Sequence, residues 1–399
     1  MRFKEVSTSM KRKLPRTVII LGLVSFLNDM ASEMVTPFIP ILIASVLGAG
    51  PVMLGLVEGV ADAIASFLKL WAGRHSDMLG GKRKKLMVAG YSLSNLARPL
   101  IGLVSSWGGL LLLRSMDRIG KGVRGAPRDA LLADAVDQDM RGYAFGFHRA
   151  LDNAGAVVGS LLAVAALTWA GLSVSEVILW SAVPGVLVLA LLIFAVREPP
   201  RPAMLPHNVL APLAWSSLSH PMRRYLWVLA LFAFARASEG FILLRGHEMG
   251  LSVVQILLLW MTLNLTKAIT STYGGRMADR LGLDKLTMIG WLGYGLSFLA
   301  ISQVSQISTL WMAVIGYGLV TGLSEGSERA LISIHANENE RGTAFGWYHL
   351  AVGLSAIPAG VLFGALWHYW GAGTAFLCAG SLALICVLLL LRLKLGKMT

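Results

Sequence analysis

Long apolar runs alternate along the chain with short polar connections. A helix needs roughly 20 apolar residues to cross a hydrocarbon core about 30 Å thick at about 1.5 Å per residue. The pattern predicts six spans in a first half, near 17–46, 52–72, 86–105, 109–133, 142–169 and 175–196. Six more follow near 225–247, 253–273, 286–304, 308–334, 343–368 and 372–391. Connections are short except over 197–224, where Pro199, Pro200, Pro202, Pro206, Pro212 and Pro221 read as a linker. The expected units are a six-helix bundle over 1–196, a cytoplasmic linker over 197–224 and a second six-helix bundle over 225–399.

Composition agrees with this reading. Of the 399 residues 55% are hydrophobic and only 14% charged, whereas soluble domains carry roughly a quarter as Asp, Glu, Lys and Arg. A net charge of +13 could suggest nucleic acid. The bases, however, stand in short segments between apolar runs and form no patch on a soluble domain, so no nucleic-acid partner is expected. They fall at Lys82 to Lys85, Arg141, Arg197, Arg201, Arg223, Arg224, Arg276, Arg280, Lys285 and Arg341 and in both terminal segments. The connections near 47–51, 170–174, 248–252, 303–308 and 369–373 carry none. The positive-inside rule then places both termini in the cytoplasm of a multi-pass protein, expected in a bacterial cytoplasmic (inner) membrane. The basic start precedes an apolar run too long for a signal-peptide core, so the first run reads as a retained span. Cys378 and Cys386, eight residues apart on one helix, would lie about 12 Å apart and cannot bridge.

The chain repeats itself. Gly73-Arg74-x-x-Asp77-x-x-Gly80, followed by Lys82-Arg83-Lys84-Lys85, returns as Gly275-Arg276-x-x-Asp279-Arg280-x-Gly282. Ala31-Ser32-Glu33 returns as Ala237-Ser238-Glu239, and Arg141-Gly142-x-Ala144-Phe145-Gly146 as Arg341-Gly342-x-Ala344-Phe345-Gly346. The three anchors keep their order. With an even number of spans per unit both halves share one orientation, and their symmetry axis runs along the membrane normal.

These residues resemble the major facilitator superfamily. The G-x-x-x-D-x-x-G segment between spans 2 and 3, followed by bases and echoed between spans 8 and 9, is similar to its signature, and Arg118-x-x-x-Gly122 to its second motif. The strings Asn28 to Met34, Asp117 to Gly122 and Pro127 to Leu131 resemble a bacterial branch of transporters. The resemblance implies an all-α membrane protein of twelve transmembrane helices in two six-helix repeats related by a pseudo-two-fold along the membrane normal. It also implies a central cavity lined by spans 1, 4, 7 and 10, and an alternating-access cycle. By the same resemblance Asp77 becomes a gate element, set against the free N–H groups at the start of span 11 near Gly342. The implied gate set is Gly73, Arg74, Asp77, Gly80, Lys82 and Arg83, with Gly275, Arg276, Asp279, Arg280 and Gly282, and Arg141, Gly142, Arg341 and Gly342. There are departures: Met78 and Gly81 stand where the first copy should carry bases, and Leu283-Asp284 where the second should. The antiporter signature of span 5 needs a Gly-Pro pair, but Gly155-x-x-x-Gly159 is followed by Ser160, which weakens drug-type antiport.

Charges at membrane depth carry the candidate chemistry. Each costs about 2.5–3.5 kcal/mol at the centre of a span. Span 4 holds Arg114, Asp117, Arg118, Lys121, Arg124 and Arg128, with Arg114, Arg118, Lys121 and Arg128 along one face. That face must meet protein or water. Expected partners are Asp29 and Glu33 in span 1, Glu58 and Asp62 in span 2, and His148, Arg149 and Asp152 in span 5. The second half offers Arg236, Glu239, Lys267, Glu325, Glu328, Arg329 and His349. One reading is ion pairs that hold helices together or close gates. The other is a proton and substrate cavity built from Asp29, Glu33, Asp62, Arg114, Asp117, Arg118, Lys121, Asp152, Arg236 and Glu239. In that reading Asp29 or Glu33 carries a coupling proton, and Arg118 and Arg236 attract an anionic or zwitterionic group.

Other signals are weaker. Met30 and Met34 share a helix face, and with His247 and Met249 could serve a soft metal such as copper. Trp107, Trp169, Trp311, Trp367, Tyr369 and Trp370 fit an interfacial aromatic belt. No P-loop, zinc-protease helix or nucleophile elbow occurs in the chain. No enzyme activity, cofactor or bound metal is therefore expected. The expected function is proton-coupled secondary transport of a small organic solute (anionic, zwitterionic or amphipathic) by a monomer in the lipid bilayer, export favoured over uptake. The alternatives are transport of a metal or a siderophore-like metal chelate, and a non-transporting membrane sensor or scaffold.

Overall fold

The computed structural model describes residues 14–78, 83–136, 141–197, 215–324, 327–328 and 341–393. The first half contains α1 (Arg16–Glu33), α2 (Ile39–Ile41), α3 (Pro51–Met78), α4 (Arg83–Leu100), α5 (Trp107–Asp134), α6 (Arg141–Thr168), α7 (Val174–Trp180) and α8 (Ala182–Ala190). The second contains α9 (His220–Ala235), α10 (Gly240–Glu248), α11 (Val253–Leu281), α12 (Leu283–Ser302), α13 (Ile307–Ser324) and α14 (Arg341–Arg392). There is no strand among the described residues.

Among the described residues, eight helical stretches are long and apolar enough to cross a membrane. They are Arg16–Val46, Pro51–Ala72, Phe147–Thr168, Val174–Ala195, His220–Glu248, Val253–Ser271, Ile307–Ser324 and Gly346–Arg392. The last contains a bend at Gly371, whose φ of 85° only glycine adopts readily. That bend falls between the spans expected at 343–368 and 372–391. Helices α4, α5 and α12 fall on the spans expected at 86–105, 109–133 and 286–304, α4 ending at Leu100 and α12 at Ser302, but they are not among the eight, α5 because of its row of charges.

Beside the short turn at Ser181 between α7 and α8, two of the crossing stretches are broken midway. The first leaves regular helix after Glu33 and passes through a 3-10 turn, Thr36–Phe38. Pro37 and Pro40, which have no backbone N–H, keep the α-helical ladder from continuing there. The other break separates α9 from α10 at Arg236–Glu239, where no proline stands.

The signature segments are more helical than a loop reading suggests. α3 runs on through Met78 and α11 through Leu281, and the turn comes at Gly282, with φ 85°. The side chains of Gly73, Arg74, Asp77, Gly275, Arg276, Asp279, Arg280, Arg141, Gly142, Arg341 and Gly342 lie outside the described residues, as do the whole of Gly80, Lys82, Glu325 and Arg329. The expected latch between Asp77 and Gly342 lies outside them too. Arg83 is described: it is buried and pairs with Asp134 at the end of α5.

Close helix approach through glycine sets the packing, as it does where apolar attraction between helices is absent. A Cβ on Gly155 would lie 2.2 Å from the carbonyl oxygen of Phe26, and one on Gly159 2.4 Å from that of Met30. The half-preserved signature on α6 thus seats α1. Between the halves, a Cβ on Gly55 of α3 would lie 1.9 Å from the Gly360 carbonyl oxygen on α14. Ser45 and His247 add a 2.8 Å hydrogen bond from the end of the first span to the end of α10.

Candidate functional site

A cavity of about 460 Å³ lies between the halves. Helix α3 turns Glu58, Asp62, Ser66 and Lys69 to it, four or three residues apart, and α5 turns Arg114, Arg118 and Lys121 at the same spacing. The first span gives Ser32, Glu33, Thr36 and Pro40, and the break after α9 gives Arg236, Ala237, Ser238, Glu239 and Gly240. Trp260 of α11, Tyr317 of α13 and Val352 and Ala356 of α14 complete the wall. Spans 2, 8 and 11 therefore contribute beside the expected 1, 4, 7 and 10.

Of the ten predicted cavity residues, Glu33, Asp62, Arg114, Arg118, Lys121, Arg236 and Glu239 meet in this space. The other three do not line it. Asp117 is 1% exposed and accepts a 2.8 Å hydrogen bond from Arg98 Nε, with Arg114 at 3.6 Å and Arg118 at 3.8 Å. Arg98 also donates to the backbone and side-chain oxygens of Asn28, both at 3.0 Å. Asp117 is thus the buried counter-ion that ties α1, α4 and α5 together. Asp29 accepts from Asn28 Nδ2 at 3.0 Å and lies within electrostatic reach of Asp152, Lys121 and Arg128. Asp152 pairs on its own helix with His148 at 3.6 Å and Arg149 at 3.8 Å.

Around the cavity most charges are answered. Arg114 clamps Glu58 with two hydrogen bonds, Nε to Oε1 at 3.0 Å and Nη2 to Oε2 at 3.1 Å. That bidentate fork fixes both side chains. Arg236 pairs with Glu328, which also accepts from Trp291 Nε1 at 2.8 Å. Lys267 pairs with Glu239, which also accepts from the Tyr317 hydroxyl at 3.1 Å. Arg118 differs: it is 9% exposed, and its buried Nε has no hydrogen-bond partner. From the other half of the chain, Trp260 Nε1 donates to the Glu33 carboxylate. A second cavity of about 250 Å³ in the second half shares Arg236, Glu239 and Tyr317 with the first and is walled by Phe232, Trp291, Tyr294 and Tyr348.

Sequence reasoning passed over Arg98, Trp260, Trp291, Tyr294 and Tyr317. Arg98 carried a signal, since a base deep in span 3 needs a buried partner. The aromatic residues did not: their spacing is that of any membrane helix, and only the fold shows which indole or phenol meets a carboxylate. Among the described residues, no group of three or more His, Cys, Asp and Glu could hold a metal ion.

A sequence profile of the Major Facilitator Superfamily matches residues 21–265 and 240–397. An uncharacterized MFS-type transporter of Methanocaldococcus jannaschii is 34% identical over 386 residues, 95% of each chain. The multidrug resistance protein MdtH of Photorhabdus laumondii is 24% identical over 327 residues, 80% of this chain and 79% of that one. The crystal structure of the human organic anion transporter MFSD10 (TETRAN) has a TM-score of 0.69 at 18% identity, covering 94% of this chain and 99% of that one, a likeness of fold. Profile, relative and fold agree, and the chain belongs to the Major Facilitator Superfamily, a family of membrane transporters and not of enzymes.

Proposed function

We propose that this transporter is a proton-coupled secondary carrier of twelve spans that moves a small organic anion or zwitterion by alternating access. The observation that carries the reading is Arg118. It lines the cavity with a buried Nε that has no hydrogen-bond partner and has Asp117 Oδ2 only at 3.8 Å, while its neighbours Arg114 and Arg236 are held by Glu58 and Glu328. A guanidinium short of a partner in a low-dielectric wall favours an anionic group. Apolar wall residues such as Leu243, Val352 and Ala356 leave room for an amphipathic body.

Glu33 is the better placed of the two candidate proton carriers. It lines the cavity and accepts a hydrogen bond from the opposite half. A carboxylate accepts more strongly than a neutral carboxyl group, so protonating Glu33 loosens a tie between the halves. Asp29 lies behind the wall and serves as the alternative carrier.

Export is favoured over uptake, in keeping with the multidrug resistance relative; the incomplete antiporter signature of α6 counts the other way. The distribution of Lys and Arg supports both termini inside; the proposal places the protein in the cytoplasmic membrane as a monomer, its halves at 1–196 and 225–399 joined by 197–224. The gate set around Asp77, Gly80 and Gly342 would close its inner face. Reconstituted protein tested with an imposed pH gradient against a panel of organic anions, zwitterions and cations checks the reading. The expected result is gradient-driven movement of at least one anion or zwitterion, lost on neutralising Glu33. Full coupling in both Asp29→Asn and Glu33→Gln, or movement of cations alone, would overturn it.

A further inference from the structure

Five consecutive residues, Arg236 to Gly240, line one cavity. In a continuous helix five residues sweep more than a full turn at about 100° each, and they cannot all face one side. The break makes it possible. Arg236 sits at φ −80° and ψ 87°, the centre of an inverse γ-turn in which the Ala237 N–H donates to the Ala235 carbonyl at 3.0 Å. Backbone freed from the helical ladder at membrane depth is costly unless something else satisfies it.

One side chain does so at both ends of the turn. The Tyr294 hydroxyl, on α12, donates to the Ala235 carbonyl at 3.1 Å and accepts from the Ala237 N–H at 3.1 Å. Its ring is 3% exposed and wedged between Phe232, with centroids 5.5 Å apart, and Phe298, at 4.3 Å. The hydroxyl therefore has little freedom to leave the turn. Ser238 Oγ accepts the Gly240 N–H at 3.2 Å and completes the start of α10.

The first half supplies a comparison within the chain. Gly90-Tyr91-x-Leu93-Ser94 on α4 repeats as Gly293-Tyr294-x-Leu296-Ser297 on α12. Ala31-Ser32-Glu33, the counterpart of Ala237-Ser238-Glu239, stays helical as the end of α1. There the buried Tyr91 hydroxyl has no hydrogen-bond partner. The first span breaks only after that tripeptide, and the tyrosine that bonds is the one facing a break before it.

We propose that Tyr294 is a positioning residue of the transport site. Its hydroxyl holds span 7 open at Arg236, so that Arg236, Ser238 and Glu239 reach the cavity together. The proposal rests on reading that cavity as the transport site. Without the hydroxyl, the Ala235 carbonyl regains the Glu239 N–H as its helical partner, α9 and α10 merge, and part of the segment rotates off the cavity.

The test is cysteine accessibility, in protein whose Cys378 and Cys386 are replaced by Ala. A membrane-impermeant methanethiosulfonate is reacted with Ser238→Cys, and with Ser32→Cys in the first half as a reference. Tyr294→Phe should slow labelling at Ser238→Cys about tenfold, the equivalent of one lost hydrogen bond, and leave Ser32→Cys unchanged. Adding Ala237→Pro to Tyr294→Phe should restore the fast rate, because a proline there has no N–H to satisfy and bars helix through the segment. Equal rates with Tyr and Phe, equal slowing at both positions, or no restoration by proline would overturn the proposal. These rates are read without any solute. A protein that labels as expected yet moves nothing down a pH gradient would count against the transport reading and leave the role of Tyr294 in the break intact.

Discussion

The indole N–H of Trp260 on α11 donates to the Glu33 carboxylate on α1, so a hydrogen bond joins the two halves of the chain at the cavity. A carrier that opens alternately to each side must break such a bond and remake it. A hydrogen bond to a charged group contributes about 1.5–3 kcal/mol, so Trp260→Phe should shift the balance between the two states at least about tenfold. Spin-label distances between the halves in liposomes would read the shift. An unchanged distance distribution would remove this bond from the mechanism.

The tie beneath the cavity should behave differently. Asp117 is buried with Arg98 as its nearest counter-charge. Arg98→Ala leaves that carboxylate short of its strongest partner and takes the hydrogen bonds from Asn28, which typically costs about 3–5 kcal/mol. Thermal unfolding in detergent should show a large loss of stability. A loss no greater than that of an ordinary surface substitution would contradict the role assigned to Asp117.

At the boundary between halves, Gly55→Val should abolish transport or folding, since even its Cβ would sit 1.9 Å from the Gly360 carbonyl oxygen. Gly316→Ala is the matched control: a Cβ there meets nothing within 4 Å. Expression, monodispersity and transport of the two variants check the contrast. Equal tolerance would mean that α3 and α14 do not approach as closely as described.

The cavity arginines should separate by their partners. Arg118→Gln removes a guanidinium whose Nε makes no hydrogen bond, while Asp117 keeps Arg98 and Arg114, and should weaken binding of an anionic ligand about tenfold or more, with little loss of stability. Arg236→Gln instead strands Glu328, which its guanidinium pairs, and should lower the melting temperature as well. Isothermal binding and melting curves on both variants check it; the reverse pattern would exchange their roles.

The sequence shows where helices cross and which of them cannot face lipid. Apolar runs set the spans, and the cost of burying charge turned Arg114, Arg118 and Lys121 inward to the cavity that Glu33, Asp62, Arg236 and Glu239 share. Periodicity gives a face, however, and not a partner. It could not say that Asp117 answers Arg98, or that Asp29 and Asp152 stand off the cavity wall. The break in span 7 was hidden for a related reason. Ala31-Ser32-Glu33 and Ala237-Ser238-Glu239 are the same tripeptide, yet the first ends a continuous helix and the second follows a γ-turn. What differs is a tyrosine hydroxyl on another helix, which no local pattern records. The gate motif had the opposite fate: it identifies the family by sequence, while the side chains of Asp77 and Gly342 lie outside the described residues.

Paired flux measurements on Glu33→Gln in the same proteoliposomes test the account most directly. One measures exchange of labelled for unlabelled solute with no gradient, and the other accumulation driven by an imposed pH difference. The account predicts that exchange persists, because the cavity and Arg118 are intact, while gradient-driven accumulation is lost. Accumulation at the wild-type level in this variant and in Asp29→Asn alike would contradict it.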